Sequence, residues 1–489
     1  MLAVLISVWV FAVASADHND DTKALVDAAT GNVIANQFVL HERLARSEPG
    51  RSRALVFKPS VRIAELLFEY EIHRQFAKGG FGEVWTAIRI RSSSSKGASH
   101  FTHTLLASNS DEFIQDDLAN LELFVLKRFL PGDGRQFSAL REEYFGRLLK
   151  GSAHIARFEE CFTEGGDYWC VFHHEGRSLY RMLYDIHDGV VHPSAEWRQM
   201  KLEKEVESNP LWTTMQSIAY QVLQAVAECH DKSVTHRDVK PSNILLSRAR
   251  TQGAARHQRN AEYLTLGDFG SAVDYASLKR YYPIYGPSKE EETLDYAPPE
   301  VLFSQNPYAL HAPTTYDLWS IGVLLLEMVL GTSDVFRVRQ RTRAIIDRFL
   351  EGESEDTRSL AVKFRAFFEY CIYDPRRDGR PLDMRGLDNA QACSNADFQA
   401  LLATLDPIGI GAPSANFIRL VRRLLQWRPT SRITAQDALE HAWFHGPFLC
   451  DRCKSEFEFK KHLDEHRCGD GIESQRMSVW DPLTIREEL

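Results

Sequence analysis

The order of hydrophobic patterns predicts an α+β chain, with short alternating strands first and apolar helices after them. Three observations carry this. Leu66, Phe68, Tyr70 and Ile72 alternate as in a half-buried strand, and Gln75 to Trp85 reads strand, glycine turn, strand. Leu121 to Phe129 and Tyr168-Trp169-Cys170-Val171-Phe172 supply two more strands. From Met215 to His230 and from Tyr316 to Leu330, apolar residues instead recur at helical spacing.

Met1 to Ala16 is apolar and ends Ala14-Ser15-Ala16, the cleavage pattern of a signal peptide. It is short for a membrane-spanning helix and carries no Lys or Arg ahead of its apolar core, so a buried N-terminal strand or helix competes with that reading. Residues 17–66 form an extension without a strong period. The interval 91–120 opens on four serines and a glycine, which marks a flexible insertion in the sheet. Ser138 to Lys150 reads as a helix. Three further insertions are expected: a charged one at 185–209, a basic one at 248–260, and a long mixed one at 337–415. The last has helical stretches at Leu360 to Tyr370 and Phe398 to Leu405.

Composition excludes classes rather than naming one. The 489 residues are 44% hydrophobic with a formal net charge of −9, which argues against a nucleic-acid-coating or membrane-surface protein. Eight cysteines in this length make no disulfide scaffold, but three of them cluster near the C-terminus.

The chemistry concentrates in Val234-Thr235-His236-Arg237-Asp238-Val239-Lys240-Pro241-Ser242-Asn243, followed by Asp268-Phe269-Gly270. One carboxylate stands two residues before an ammonium and five before an amide, and a second follows on a glycine turn. This set can orient a hydroxyl, neutralise a transferring phosphoryl group and offer hard oxygens to Mg²⁺. Upstream, Gly79, Gly80 and Gly82 let a backbone approach a triphosphate closely, ahead of Val84.

These runs resemble the catalytic, magnesium and glycine-rich loops of the eukaryotic protein kinases, serine/threonine type. The resemblance runs from about Tyr70 to Phe444 and implies a bilobal fold: a small antiparallel sheet with one helix, then a mostly helical lobe, with ATP between them. Kinase boundaries of 67–447 follow. By the same resemblance Asp238 is the catalytic base, Lys240 neutralises the γ-phosphate and favours serine/threonine substrates, and Asn243 and Asp268 hold Mg²⁺. Lys127, in Phe124-Val125-Leu126-Lys127, meets the α- and β-phosphates. Its partner, counted back from His154, is Glu143, with Glu142 as the alternative. Gly79, Gly80, Gly82 and Val84 line the nucleotide. Ala77 stands where the family has its first glycine, and Pro298 where it has alanine in Thr293-Leu294-Asp295-Tyr296-Ala297-Pro298-Pro299-Glu300. Glu300 is expected to pair with Arg432, and Asp317 of Asp317-Leu318-Trp319-Ser320-Ile321-Gly322 to brace the catalytic loop.

Two local expectations concern control. Glu290, Glu291 and Glu292 lie where an activating phosphate usually sits, so they either stand in for it against Arg237 or form a solvated charge run. His173 and His174, beside the gatekeeper Phe172, are read as exposed linker residues, with pH sensitivity as the alternative.

A second module follows at 448–470. Cys450 and Cys453 precede His466 by a zinc-finger interval that contains Phe457 and Leu463, so these residues with Cys468 make a candidate Zn²⁺ set. The single residue between His466 and Cys468 is its weak point, and a reduced surface CxxC or a disulfide competes with it. Residues 471–489 are a tail. The finger suits a protein partner better than nucleic acid. ATP chemistry and a reduced finger point to the cytoplasm, a genuine signal peptide to the secretory pathway. Beside an active kinase acting on protein substrates, two other classes stand: a pseudokinase scaffold and a nucleic-acid-binding regulator.

Overall fold

The computed structural model describes residues 38–41, 55–59, 68–79, 82–91, 123–129, 135–164, 167–203, 210–248, 262–282, 286–287, 291, 293–303, 314–372 and 394–468. The expected signal peptide at 1–16, the tail at 471–489 and nearly all of 17–66, 91–120 and 248–260 lie outside the described residues. Two compact units divide at Leu439/Glu440, eight residues before the module start expected at 448.

The first unit opens with a seven-stranded antiparallel sheet. Its strands are β1 (Phe38–His41), β2 (Leu55–Pro59), β3 (Phe68–Gly79), β4 (Gly82–Arg91), β5 (Leu123–Phe129), β6 (Phe158–Glu164) and β7 (Asp167–His173), in the order β1-β2-β3-β4-β5-β7-β6. Helix α1 (Arg135–Leu148) lies between β5 and β6 in sequence. Alternation in the strands splits their apolar side chains between two clusters. Tyr70, Ala87, Phe124, Leu126, Phe162, Trp169 and Val171 pack together, while Phe129, Phe158, Cys161, Cys170 and Phe172 gather around Ala139 of α1. Cys161 and Cys170, opposite each other on β6 and β7, form a disulfide.

The remainder of this unit is mainly helical. After β8 (Arg177–Ser178) and α2 (Leu179–Leu183) come a hairpin, β9 (Tyr184–His187) with β10 (Val190–Pro193), and then α3 (Ala195–Leu202). The interval expected as a charged insertion at 185–209 is therefore structured as far as residue 203. It is anchored: Trp197 is buried, and the fully buried Lys201 pairs with Asp406 at 2.6 Å. Helix α4 (Pro210–Asp231) leads to the antiparallel pair β11 (Ile244–Arg248) and β12 (Glu262–Leu266). Then come α5 (Tyr275–Tyr281), α6 (Pro299–Leu302) and α7 (Thr315–Leu330). Every residue of α7 is buried, so it runs through the centre of the helical lobe. It stops at Gly331, whose φ of 66° is left-handed and where a Cβ would meet the Trp197 ring at 2.7 Å.

The described parts of the 337–415 interval are helices α8 (Gln340–Phe349), α9 (Glu355–Glu369) and α10 (Asn395–Leu405). Ser354 caps α9 through Thr357 N–H, and Ser394 with Asp397 closes a capping box on α10. Helices α11 (Ala415–Leu424) and α12 (Ala435–Leu439) complete the unit. The result is the expected α+β, two-lobed fold. No helix among the described residues is long and apolar enough to cross a membrane.

The second unit is small. It contains α13 (Ala442–His445), the antiparallel pair β13 (Phe448–Leu449) and β14 (Glu456–Phe457), and α14 (Lys460–Glu465). This is a ββα arrangement in which Phe459 and Trp443 are buried.

Candidate active site

Lys127 lies on β5 opposite Val84 of β4, and its ammonium is held from two sides. Asp268 Oδ1 is 2.9 Å away, and Glu142 Oε1 contacts it directly. The sequence expectation of Glu143 as partner is corrected here. Adjacent helix residues point about 100° apart, and Glu142, with 1% of its side chain exposed, takes the face of α1 toward Lys127. Glu143 instead accepts hydrogen bonds from Tyr168 and Arg147. Burial alone would lower the Lys127 pKa; the Asp268 and Glu142 carboxylates hold it above the usual lysine value. The two acids share this ammonium unequally. Burial pushes the Glu142 carboxyl up. Asp268 is pushed up by burial too, but Lys127 and a hydrogen bond from Glu142 hold it well below the carboxylate range. Negative charge therefore concentrates on Asp268, the more exposed of the two.

The catalytic-loop residues converge as one group. Asp238 Oδ2 is 2.8 Å from Lys240 Nζ and accepts a 2.8 Å hydrogen bond from Asn243 Nδ2. The Thr293 hydroxyl donates to Asp238 Oδ1 at 2.8 Å and accepts from Lys240 at 2.7 Å. One hydroxyl thus contacts both the carboxylate and the ammonium. Asn243 Nδ2 also donates to the Asp238 carbonyl at 2.9 Å, so the orientation of its amide is fixed and Oδ1 is the side left for a ligand. Among the described residues that oxygen meets a long 3.4 Å approach from Ser242.

The loop is braced from beneath. Asp317 on α7, wholly buried, accepts the amides of His236 and Arg237 at 2.9 and 2.8 Å and contacts His230 Nε2 at 2.9 Å. It holds Arg237 at a left-handed φ of 67°, a conformation that costs energy in a non-glycine residue. Asp268 has the same φ, and the turn after it is tight: a Cβ on Gly270 would collide with Ser138 Oγ. Further on, Glu300 and Arg432 form the expected pair, with two contacts of 2.6 and 2.5 Å.

Gly79 and Gly82 are paired across the β3–β4 hairpin, and Gly80 lies outside the described residues. A Cβ on Gly82 would collide with the Arg128 carbonyl oxygen, so this strand approaches its neighbour too closely for a side chain. Phe172 is buried and edges onto Phe158. The expectation of exposed hinge histidines does not hold. His173 contacts Glu159 at 3.3 Å and stacks near Phe124, while His174 accepts the Gly176 amide. Burial pushes the His174 pKa down, which keeps it neutral.

In the second unit, Cys450, Cys453, His466 and Cys468 bring their ligand atoms within 4.8 Å of one another. Cys450 Sγ is 3.1 Å from Cys468 Sγ, and His466 Nε2 is 3.2 Å from both Cys453 and Cys468. A tetrahedral zinc, with bonds of about 2.0–2.3 Å, spaces its ligands at roughly 3.3–3.8 Å. The short gap before Cys468 is accommodated because His466 is extended (φ −67°, ψ 125°), and residues two apart on an extended chain share a face. Hydrogen bonds from Ser455 pull the Cys453 thiol down to about 6, toward the thiolate a metal takes.

Three features escaped the sequence. Thr293 was placed in a motif but not at Asp238. Arg141, beside Glu142, donates to the Gly270 carbonyl at 2.6 Å and ties α1 to the Asp268 turn. The Cys161–Cys170 disulfide had a signal: both cysteines stand symmetrically about the sequence Gly165-Gly166, a dipeptide that favours a two-residue hairpin connection.

A model of the protein kinase domain matches residues 122–444. A probable inactive protein kinase of Arabidopsis thaliana is 36% identical over 325 residues, covering 60% of this chain and 85% of that protein. Cell division control protein 2 homolog 3 of Trypanosoma brucei brucei is 26% identical over 261 residues, covering 53% of this chain and 69% of its own.

Proposed function

Because the chain belongs to the protein kinase family, we propose that it is an active serine/threonine kinase, transferring the γ-phosphoryl group of MgATP to protein hydroxyls. The observation that carries this is the Asp238 group: a carboxylate with Lys240 at 2.8 Å and a hydroxyl, that of Thr293, donating to it at 2.8 Å. A substrate hydroxyl in such a place is oriented for attack, and its proton has an acceptor in Asp238. Lys240 puts positive charge where the transferring group gains negative charge. Lys127, fixed by Glu142, is preorganised for the other phosphates.

Two hard oxygen donors, Asn243 Oδ1 and the Asp268 carboxylate, fit Mg²⁺ and would hold it. When bound, Mg²⁺ supplies charge neutralisation on the phosphates. In the second unit, three thiols and one imidazole fit Zn²⁺ in a closed structural site, whose role is to hold a domain too small for a core of its own.

The second reading is a nucleotide-binding scaffold without turnover, and the name of the Arabidopsis relative favours it. The presence here of Lys127, Asp238, Asn243 and Asp268 together weighs against it. Transfer from MgATP to a generic basic protein by the purified full chain, beside Asp238→Asn, decides between them. Transfer lost in the variant supports the kinase; nucleotide binding without transfer in either protein supports the scaffold.

A further inference from the structure

One face of β7 meets both helix α1 and the Lys127 strand, and a disulfide lies at its middle. Tyr168, Cys170 and Phe172 alternate along β7 and so point the same way. Tyr168 donates to Glu143 on α1, and the Phe172 ring lies 5.9 Å from Lys127 Nζ. Between them, Cys170 Sγ sits 3.9 Å from the carbonyl oxygen of Ala139, a residue of α1 one turn before Glu142. Cys170 is the direct cross-strand partner of Lys127 on β5. On its other side it is paired with Cys161 on β6, to which it is disulfide-bonded. Ala139 and Cys170 are fully buried, and Phe129, Phe158 and Phe172 complete the packing around the bond.

We propose that Cys161 and Cys170 are a redox modification site: their disulfide holds α1 in place, and its reduction releases Glu142 from Lys127. The proposal rests on the kinase reading above. Two unbonded sulfurs need more room than two bonded ones, and a close-packed site passes that demand to its neighbours. Ladder hydrogen bonds to β5 and to β6 hold β7 on both sides of Cys170. Helix α1 has no such ladder, so it is the neighbour freer to shift. It carries Glu142, which contacts Lys127 directly, so a displacement that begins at Ala139 reaches the ammonium through one helical turn. Cys161 is on the last strand in the sheet order and is 5% exposed, against 0% for Cys170, so it is the sulfur that a small dithiol meets first. A thiolate of the dithiol attacks Cys161 Sγ, the S–S bond breaks, and Cys170 leaves as a thiolate that takes up a proton. The second thiol of the reagent then displaces Cys161 in the same way. The protein gains two electrons and two protons as two thiols, and the reagent departs as its own disulfide. Exchange with that oxidised form runs the steps backwards.

The test uses the full chain, treated with oxidised dithiol and then with reduced dithiol, the state of each cysteine being read by alkylation and peptide mass. Transfer from MgATP to a basic protein, hydrogen exchange of residues 135–148 and thermal midpoint are measured in both states, for this protein and for Cys161→Ser. Reduction is expected to raise KM for MgATP, to lower kcat/KM about tenfold and to speed exchange in α1, and reoxidation to restore all three. Cys161→Ser is expected to match the reduced protein and to ignore the dithiol, which separates this pair from the disulfide that Cys371 makes. If the variant does not fold, the reduction and reoxidation of the parent carry the test. A bond that merely staples the hairpin would lower the midpoint on reduction and leave KM and the exchange of α1 unchanged, and that result overturns the proposal. So does a parent whose Cys161 and Cys170 stay free after the oxidised dithiol. If the parent transfers nothing in either state, the kinase reading fails by itself, and exchange then decides alone: faster exchange of α1 on reduction upholds the site, and equal exchange removes it.

Discussion

Glu142 grips Lys127 from helix α1 while Asp268 holds the same ammonium at 2.9 Å. The lysine is thus positioned jointly by a helix and by the turn after β12, two elements far apart in sequence. Any change in α1 that withdraws Glu142 leaves Lys127 to Asp268 alone. This makes the placement of α1 a control point for the whole cleft.

Replacing Glu142 by Ala removes the side chain that contacts Lys127 and donates to Asp268, so transfer is expected to fall about a hundredfold. Glu143→Gln touches only Tyr168 and the exposed Arg147, and a change below about threefold is expected. Steady-state kinetics of both variants against MgATP distinguishes them. Equal losses would show that the pairing read from the geometry is wrong.

The Glu300–Arg432 pair anchors the end of the 282–299 segment to the helical lobe. Arg432 is 5% exposed, donates also to the carbonyls of Gln426, Thr315 and Trp427, and lies 5.2 Å from the Trp319 ring. Arg432→Ala leaves Glu300 without this partner and empties a buried site. A loss of about 3–5 kcal/mol in unfolding free energy is expected by chemical denaturation. A loss under about 1 kcal/mol would mean that the pair is a surface-type interaction.

What the sequence showed of this site follows from where its parts lie in the chain. Asp238, Lys240 and Asn243 belong to one short loop, so their spacing alone encodes their meeting. Asp317 and Glu300 were legible for a similar reason, each lying in a dense local motif. The choice between Glu142 and Glu143 was not legible, because it depends on the rotation of α1 about its axis, which packing of Ala139 and Phe145 sets. Nor was Arg141's contact with Glu291, which joins residues 150 positions apart. His173 and His174 look like linker residues by composition; only the approach of β5 and β6 shows them packed. The gathering of Cys450, Cys453, His466 and Cys468 was legible from their spacing, whereas the compact unit that holds them begins at Glu440, in a stretch with no composition break to mark it.

The Cys450, Cys453, His466 and Cys468 cluster makes a prediction independent of transfer. Metal analysis of the full chain is expected to give one zinc, and Cys453→Ser or Cys468→Ser to abolish it. Chelation should expose the thiols of Cys450, Cys453 and Cys468 to a thiol reagent, while Cys229 stays buried. Wild-type zinc content in Cys468→Ser would remove this residue from the ligand set. Absence of metal together with unreactive cysteines would instead favour a disulfide in their place.

A buried carboxyl gives the fold a pH dependence near neutrality. Glu327 on α7 is wholly buried and accepts hydrogen bonds from Tyr184 at 2.6 Å and Tyr296 at 2.5 Å. Burial raises its pKa from 4.5 to about 7, although both hydroxyls act to lower it. The folded chain therefore binds a proton at this site that the unfolded chain has released between those values. Stability from this group is fully present below about pH 4.5 and is lost as pH rises through about 7, amounting to about 3 kcal/mol. Tyr296 lies in the segment next to Thr293, which contacts Asp238, so the strain at higher pH falls near that group. Glu327→Gln keeps an acceptor for the hydroxyls and has no proton to lose, so its stability should be flat across this window wherever the parent's declines. Denaturant titrations of both proteins from about pH 5 to 8 test this, and parallel pH profiles would show that Glu327 titrates alike in the folded and unfolded chains.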